Sequence, residues 1–73
     1  MTYFEELEKL AKISFEQFML YINEHRNLYI KEDETEEGNT EIEVTDIDDE
    51  DFNEELIGRF YFDDDGKFIG SEE

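Results

Sequence analysis

The chain has 73 residues, with 24 Asp and Glu against six Lys and Arg, so its formal net charge is −18. This length predicts one small acidic domain spanning residues 1–73, and the absence of Cys excludes disulfides and thiolate chemistry. So acidic a chain lacks the basic face needed to bind nucleic acid directly or to bind an anionic membrane, and we expect any partner to be basic.

Seven Phe and four Tyr predict an ordered core in spite of the charge. The first six residues contain neither the basic nor the apolar region of a signal peptide, and no apolar run reaches the roughly 20 residues of a membrane span. We therefore expect a cytoplasmic protein, read from a short, complete frame.

The first third of the chain has the periodicity of a helix. Apolar residues recur at helical spacing from Phe4 to Ile22, and Thr2 with Glu5 forms a capping box. No Gly or Pro interrupts this segment, and the sequence therefore predicts one long helix over residues 3–24.

Two features of this helix leave alternatives open. Ser14 followed by Gln17 is a second candidate cap, which would break the helix near Ile13. Residues 15–22 are apolar nearly all round, which is typical of a helix covered on more than one side, by a sheet and, as an open alternative, by a second copy in a homodimer.

The middle of the chain predicts two strands joined by a turn. Leu28 to Lys31 predicts a strand with Leu28 and Ile30 facing the core, and Thr40 to Ile47 predicts the next one. Between them, Glu-Glu-Gly-Asn is a turn sequence, because Gly and Asn tolerate a positive φ.

The segment from Asp48 to Ile57 predicts a short helix. Asp48 can cap it, acidic residues fill its first turn, and Gly58 suits the position after its end. An extended conformation from Phe52 to Phe62 is the alternative.

The chain closes with a predicted hairpin. Arg59 to Phe62 and Lys67 to Ile69 flank an Asp-Asp-Asp-Gly turn. The fold class is therefore predicted as α+β, with one long N-terminal helix packed on a small antiparallel β-meander. We expect Phe18, Ile22, Phe60 and Phe62 to share one core.

Few residues could support catalysis. The chain has one His, two Ser and no Cys, and its carboxylates are too numerous for any pair to be singled out as acid and base. A calcium loop around Gly66 fails because Tyr61 would occupy the first ligand position. The sequence therefore predicts no enzyme, no catalytic residue, no metal site and no cofactor.

The strongest signal is the acidic segment from residue 32 to residue 55. It holds 14 carboxylates and no Lys, Arg or His, while apolar residues interrupt it at structural spacings. We predict that it binds a basic partner through these residues: Glu32, Asp33, Glu34, Glu36, Glu37, Glu41, Glu43, Asp46, Asp48, Asp49, Glu50, Asp51, Phe52, Glu54 and Glu55.

Fixed carboxylates can imitate the phosphates of DNA. On a strand, Glu41 and Glu43 would lie on one face about 6.6 Å apart. This regular array of charge is comparable to duplex DNA, which presents one phosphate per roughly 3.4 Å of axis on each strand. Such a surface could occupy the DNA-binding groove of a basic protein. A solvated acidic face that serves only solubility is the alternative interpretation.

Residues 42–60 also carry a resemblance to a known family. A strand is followed by Phe52, Asn53, Leu56, Gly58 and Phe60. This order resembles the opening of the ArdA-type antirestriction proteins, in which a strand precedes a Tyr-Asn-x-Gly-x-Leu-x-Gly-x-Trp pattern. The resemblance implies a DNA mimic that blocks restriction enzymes.

In size and charge the chain is also similar to phage-encoded inhibitors of uracil-DNA glycosylase and of CRISPR effectors. Two further classes stay open for so acidic a surface. One is an immunity protein or antitoxin that neutralises a basic nuclease toxin, and the other is an adaptor that binds a basic protein with no relation to DNA.

Overall fold

The computed structural model describes residues 2–48, 50–51 and 53–73. Within these residues the chain forms two helices followed by four strands. They are α1 (Tyr3–Ile13), α2 (Phe15–Glu24), β1 (Leu28–Glu34), β2 (Thr40–Asp48), β3 (Asn53–Phe62) and β4 (Phe68–Glu72).

The four strands form one antiparallel sheet in the order β1-β2-β3-β4. Each strand pairs with the next in the chain, so the sheet is an up-and-down meander. Both helices pack on the same face of the sheet, α1 against β3 and β4 and α2 against β1, and they also pack against each other. The fold is α+β with two short helices on a four-stranded sheet.

The prediction of one long helix is wrong, because the helix ends at Ile13 and a new one begins at Phe15. Ser14 between them is extended, with φ −168° and ψ 155°. Its N–H still donates to the Leu10 carbonyl, while its Oγ accepts a hydrogen bond from the Gln17 N–H at 3.1 Å. One residue therefore caps both helix ends, without Gly or Pro.

The break has a geometric reason in the width of the sheet. Four strands about 4.8 Å apart are wider than one helix, which is about 10 Å across with its side chains. On the same face of the sheet, α1 lies over the β3–β4 half and α2 over the β1 half, whereas a single straight helix would leave part of this face uncovered.

The predicted helix from Asp48 to Ile57 is also wrong, since residues 53–62 form β3. Asp48 does not cap a helix; its Oδ1 accepts a hydrogen bond from the Glu50 N–H at 3.0 Å within the turn. Gly58, expected after a helix end, is instead buried in β3 opposite Val44. Pairing along the whole of β2 outweighs the local helical signals.

Gly58 is required by the packing of α1. A Cβ at this position would lie 2.6 Å from Cδ2 of Phe4 and 2.9 Å from the Glu72 carbonyl oxygen. The Phe4 ring can therefore approach the strand backbone, and its centroid lies 5.3 Å from that of Phe60.

The core lies between the helices and the sheet. The expected grouping of Phe18, Ile22, Phe60 and Phe62 is confirmed, whereas Ile30, expected to face the core, is 37% exposed. Among the described residues, the buried hydrophobic side chains are those of Leu7, Ala11, Phe18, Ile22, Leu28, Ile42, Val44, Phe60 and Phe62.

Candidate partner-binding surface

The meander brings the first and third hairpin turns to the same end of the sheet. In register, Glu34 lies opposite Thr40, and Thr40 lies opposite Phe62, so the turns at 35–39 and 63–67 are neighbours. We call their carboxylates, with those at the end of β1, the first acidic end: Glu32, Asp33, Glu34, Glu36, Glu37, Asp63, Asp64 and Asp65.

Both turns of the first acidic end are held by hydrogen bonds. In the first, the Thr35 N–H donates to the Asn39 carbonyl at 2.8 Å, and Gly38 has a φ of +83°. In the second, Oδ1 of Asp63 accepts from the N–H groups of Asp65 and Lys67 at 3.0 and 2.8 Å. The carboxylates around these turns therefore project from a fixed backbone.

The turn between β2 and β3 lies at the opposite end of the sheet. We call the described carboxylates of this turn, with those of the adjoining parts of β2 and β3, the second acidic end: Asp46, Asp48, Glu50, Asp51, Glu54 and Glu55. The nine residues of β2 separate the turns of the two ends by about 25 Å, because a strand rises about 3.3 Å per residue. The whole molecule measures 37 × 24 × 18 Å.

Between the two ends, Glu41 and Glu43 lie on the face of the sheet that the helices do not cover, and both form ion pairs with Arg59. Nε of Arg59 lies 3.3 Å from Oε2 of Glu43 and 3.7 Å from Oε1 of Glu41. Lys31 on β1 is the register partner of Glu43 on β2, and Glu72 on β4 is the register partner of Arg59 on β3. A row of alternating charge therefore crosses all four strands.

Tyr61 adds to this paired network. Its hydroxyl lies 3.1 Å from Oε1 of Glu41 and 2.9 Å from Oε2 of Glu72. Desolvation, together with hydrogen bonds to Glu72 and Glu41 and repulsion from their charges, raises the pKa of Tyr61 to about 12. Glu41 thus has structural contacts within the sheet.

The structure divides the predicted binding residues into three groups. Glu41 and Glu43 share one face as expected, but Arg59 pairs with both. The other described acids of the segment go to the two ends, and Asp49 and Phe52 lie outside the described residues. Among the described residues, ion pairs join Arg59 to Glu41 and Glu43 and Lys12 to Glu8, and none of them includes a carboxylate of either acidic end.

Asp63, Asp64 and Asp65 were missed as members of the acidic surface because the sequence assigns them only to a turn. The meander topology is the signal that could have found them. In an up-and-down sheet, alternate turns meet at the same end, which places the 63–67 turn beside the 35–39 turn.

Three further observations bear on the class of protein. Within the described residues, no helix has the length and apolar character to cross a membrane, and no three His, Asp or Glu side chains come close enough together to hold a metal ion. Comparison with protein-family models, curated proteins and solved structures found no match.

Proposed function

We propose that this protein is an acidic inhibitor that binds a basic, nucleic-acid-binding protein where DNA phosphates would otherwise bind. The observation that carries the proposal is the separation of paired from unpaired charge. Carboxylates in the middle of the sheet are paired with Arg59, while those at the two ends have no ion-pair partner among the described residues.

The dimensions support this function. The turns of the two acidic ends lie about 25 Å apart along β2, which is less than one turn of B-DNA, about 34 Å, so both ends could contact one DNA-binding groove. The turns of the first acidic end are held by hydrogen bonds, so their backbone needs no reordering on binding. A strongly negative field also speeds association with a positive surface.

The proposal is tested by competition for DNA. Candidate targets are a restriction endonuclease, a CRISPR effector nuclease and a uracil-DNA glycosylase, each mixed with its fluorescently labelled duplex and increasing amounts of this protein. We expect the protein to displace DNA from one of these enzymes, with the midpoint shifting to higher protein concentration as DNA is raised.

A matched pair of variants tests which charges act. The first removes three charges from the second acidic end (D48N/E50Q/D51N), and the control removes three from the helices (E6Q/E16Q/E24Q). We expect the first to raise the inhibition constant by roughly tenfold, mainly through slower association, and the control to change it by less than about twofold. If the protein and DNA bind the target together, mimicry is wrong and the protein is an adaptor.

A further inference from the structure

A groove separates the first turn of α1 from the β2–β3 end of the sheet. Its volume is about 600 Å³, within the range of sites that hold small ligands or single side chains of a partner. It is lined by Thr2, Tyr3, Phe4, Asp46, Glu55, Leu56, Ile57 and Glu73. The lining thus combines two aromatic rings, two aliphatic side chains and three carboxylates.

Two of the carboxylates on this groove, Asp46 and Glu55, lie on directly opposed residues because of a bulge. Pairing between β2 and β3 shifts after Val44, leaving Ile57 as the extra residue, and Asp46 then lies directly opposite Glu55. Like charges directly opposite on a sheet repel each other. A cation bound between Asp46 and Glu55 would relieve that repulsion.

The side-chain amide of Asn27 contacts both Tyr3 and Asp46 on the wall of the groove. Nδ2 of Asn27 donates to Oδ1 of Asp46 at 2.9 Å and lies 3.3 Å from the Tyr3 hydroxyl. Phe4 is fixed on the other side by its contact with Gly58. The groove therefore has fixed walls before any partner binds.

We propose that this groove binds an arginine side chain of the partner, which deepens the proposed function and rests on it. A guanidinium is planar and charged, so it can stack on the rings of Tyr3 or Phe4 while donating to Asp46 and Glu55. Leu56 and Ile57 would pack against the aliphatic part of the same side chain or its neighbour. A basic DNA-binding protein carries arginine where phosphates bind.

The positive end of α1 also lies at this groove and opposes a cation. Two features reduce its effect. Thr2 Oγ1 accepts from the Glu5 N–H, and Glu5 and Glu6 place carboxylates in the first turn. With Glu73 at the rim, the groove remains acidic.

The test uses the protein alone and three small probes: N-acetyl-arginine amide, N-acetyl-lysine amide and the uncharged isostere N-acetyl-citrulline amide. Each is titrated into ¹⁵N-labelled protein, and the amide shifts are followed by NMR. We expect the arginine probe to shift mainly the amides of Tyr3, Phe4 and Leu56, to bind more tightly than the lysine probe, and the citrulline probe to have no effect.

Matched variants separate the groove from general charge attraction. D46N/E55Q should raise the Kd of the arginine probe by roughly fivefold to tenfold, whereas D33N/E37Q, with the same charge change at the first acidic end, should raise it by less than about twofold. If D46N/E55Q does not fold, E55Q alone is compared with E37Q alone, since both change one exposed carboxylate.

Equal weakening by the two double variants, equal binding of arginine and lysine, or binding of citrulline would each overturn the arginine site. Because no target enzyme is present, such a result leaves the DNA competition test untouched. Failure of DNA competition with a positive arginine titration would instead leave the groove in place and remove the mimicry.

Discussion

Tyr61 joins the last three strands of the sheet through a single hydroxyl. It lies on β3, and its contacts reach Glu41 on β2 and Glu72 on β4. One polar atom between two carboxylates stabilises the sheet only while it keeps its proton. Because Glu41 and Glu72 are both negatively charged, loss of the Tyr61 proton at high pH would turn this contact into repulsion.

We predict that Tyr61 makes folding less stable above pH 10. Its pKa rises from 10.0 to about 12 on folding, so in this range the unfolded chain loses a proton that the native chain keeps. The stabilisation is complete below pH 10 and is lost as the pH rises toward 12. Urea unfolding between these pH values should show a steeper fall for wild type than for Tyr61→Phe, and parallel slopes would contradict the assignment.

Gly58 offers a second test at a single position. Gly58→Ala places a methyl group against the Phe4 ring and the Glu72 carbonyl, neither of which is the end of a flexible chain. We expect a loss of about 1–3 kcal/mol in the free energy of unfolding.

Gly70→Ala is the matched control, because nothing lies within 4 Å of its added Cβ. Its effect should stay within about 0.5 kcal/mol, as for other surface changes. Both values come from urea denaturation, and equal effects at the two positions would contradict the packing of Phe4 on β3.

At the scale of the elements, the helical segment and β3 show how tertiary contacts select among local options. The apolar spacing of residues 4–22 suits one straight helix, and the structure divides it at Ser14 so that both halves lie on the sheet. The spacing of residues 48–57 suits a helix, yet from Asn53 onward the chain pairs with β2.

Ser14→Ala distinguishes a capped break from a continuous helix by the sign of its effect. Loss of the Oγ that accepts the Gln17 N–H should lower the free energy of unfolding by about 1 kcal/mol. In an uninterrupted helix the same change would raise it, because Ala is the better helix former. Ser14→Asn retains a capping group and should be close to wild type; chemical denaturation measures all three.

At the scale of the whole molecule, charge is concentrated away from the core. The two acidic ends lie at opposite limits of the sheet, and buried polar or charged side chains are absent from the described residues. The folded chain therefore bears its negative charge on turns and strand ends, where repulsion within each end opposes compactness.

Salt should stabilise this fold. Raising the ionic strength from about 0.01 to 0.5 M shortens the screening length from about 30 Å to less than 8 Å, which weakens repulsion within each acidic end. We expect the melting temperature to rise across this range in circular dichroism. A smaller rise is expected for D48N/E50Q/D51N, and a melting temperature indifferent to salt would contradict self-repulsion at the ends.

The sequence by itself determined what depends on neighbours along the chain. The capping by Thr2, the strand alternation around Ile42 and Val44, and the turns at Gly38 and Gly66 with positive φ all follow from residues within a few positions of one another. These features depend on local backbone geometry and side-chain periodicity, and both can be read from the spacing of residues in the sequence.

Only the tertiary structure decided the helix break, the strand at residues 53–62 and the grouping of the carboxylates. Ser14 could cap a helix or continue one, and it caps because two short helices cover the width of the sheet better than one long helix. Glu41 and Glu43 alternate as expected, but pairing with Arg59, distant in sequence, removed them from the unpaired surface. Asp63 belongs to the first acidic end because alternate turns of a meander lie at the same end of the sheet. No pattern of neighbouring residues in the sequence indicates this arrangement.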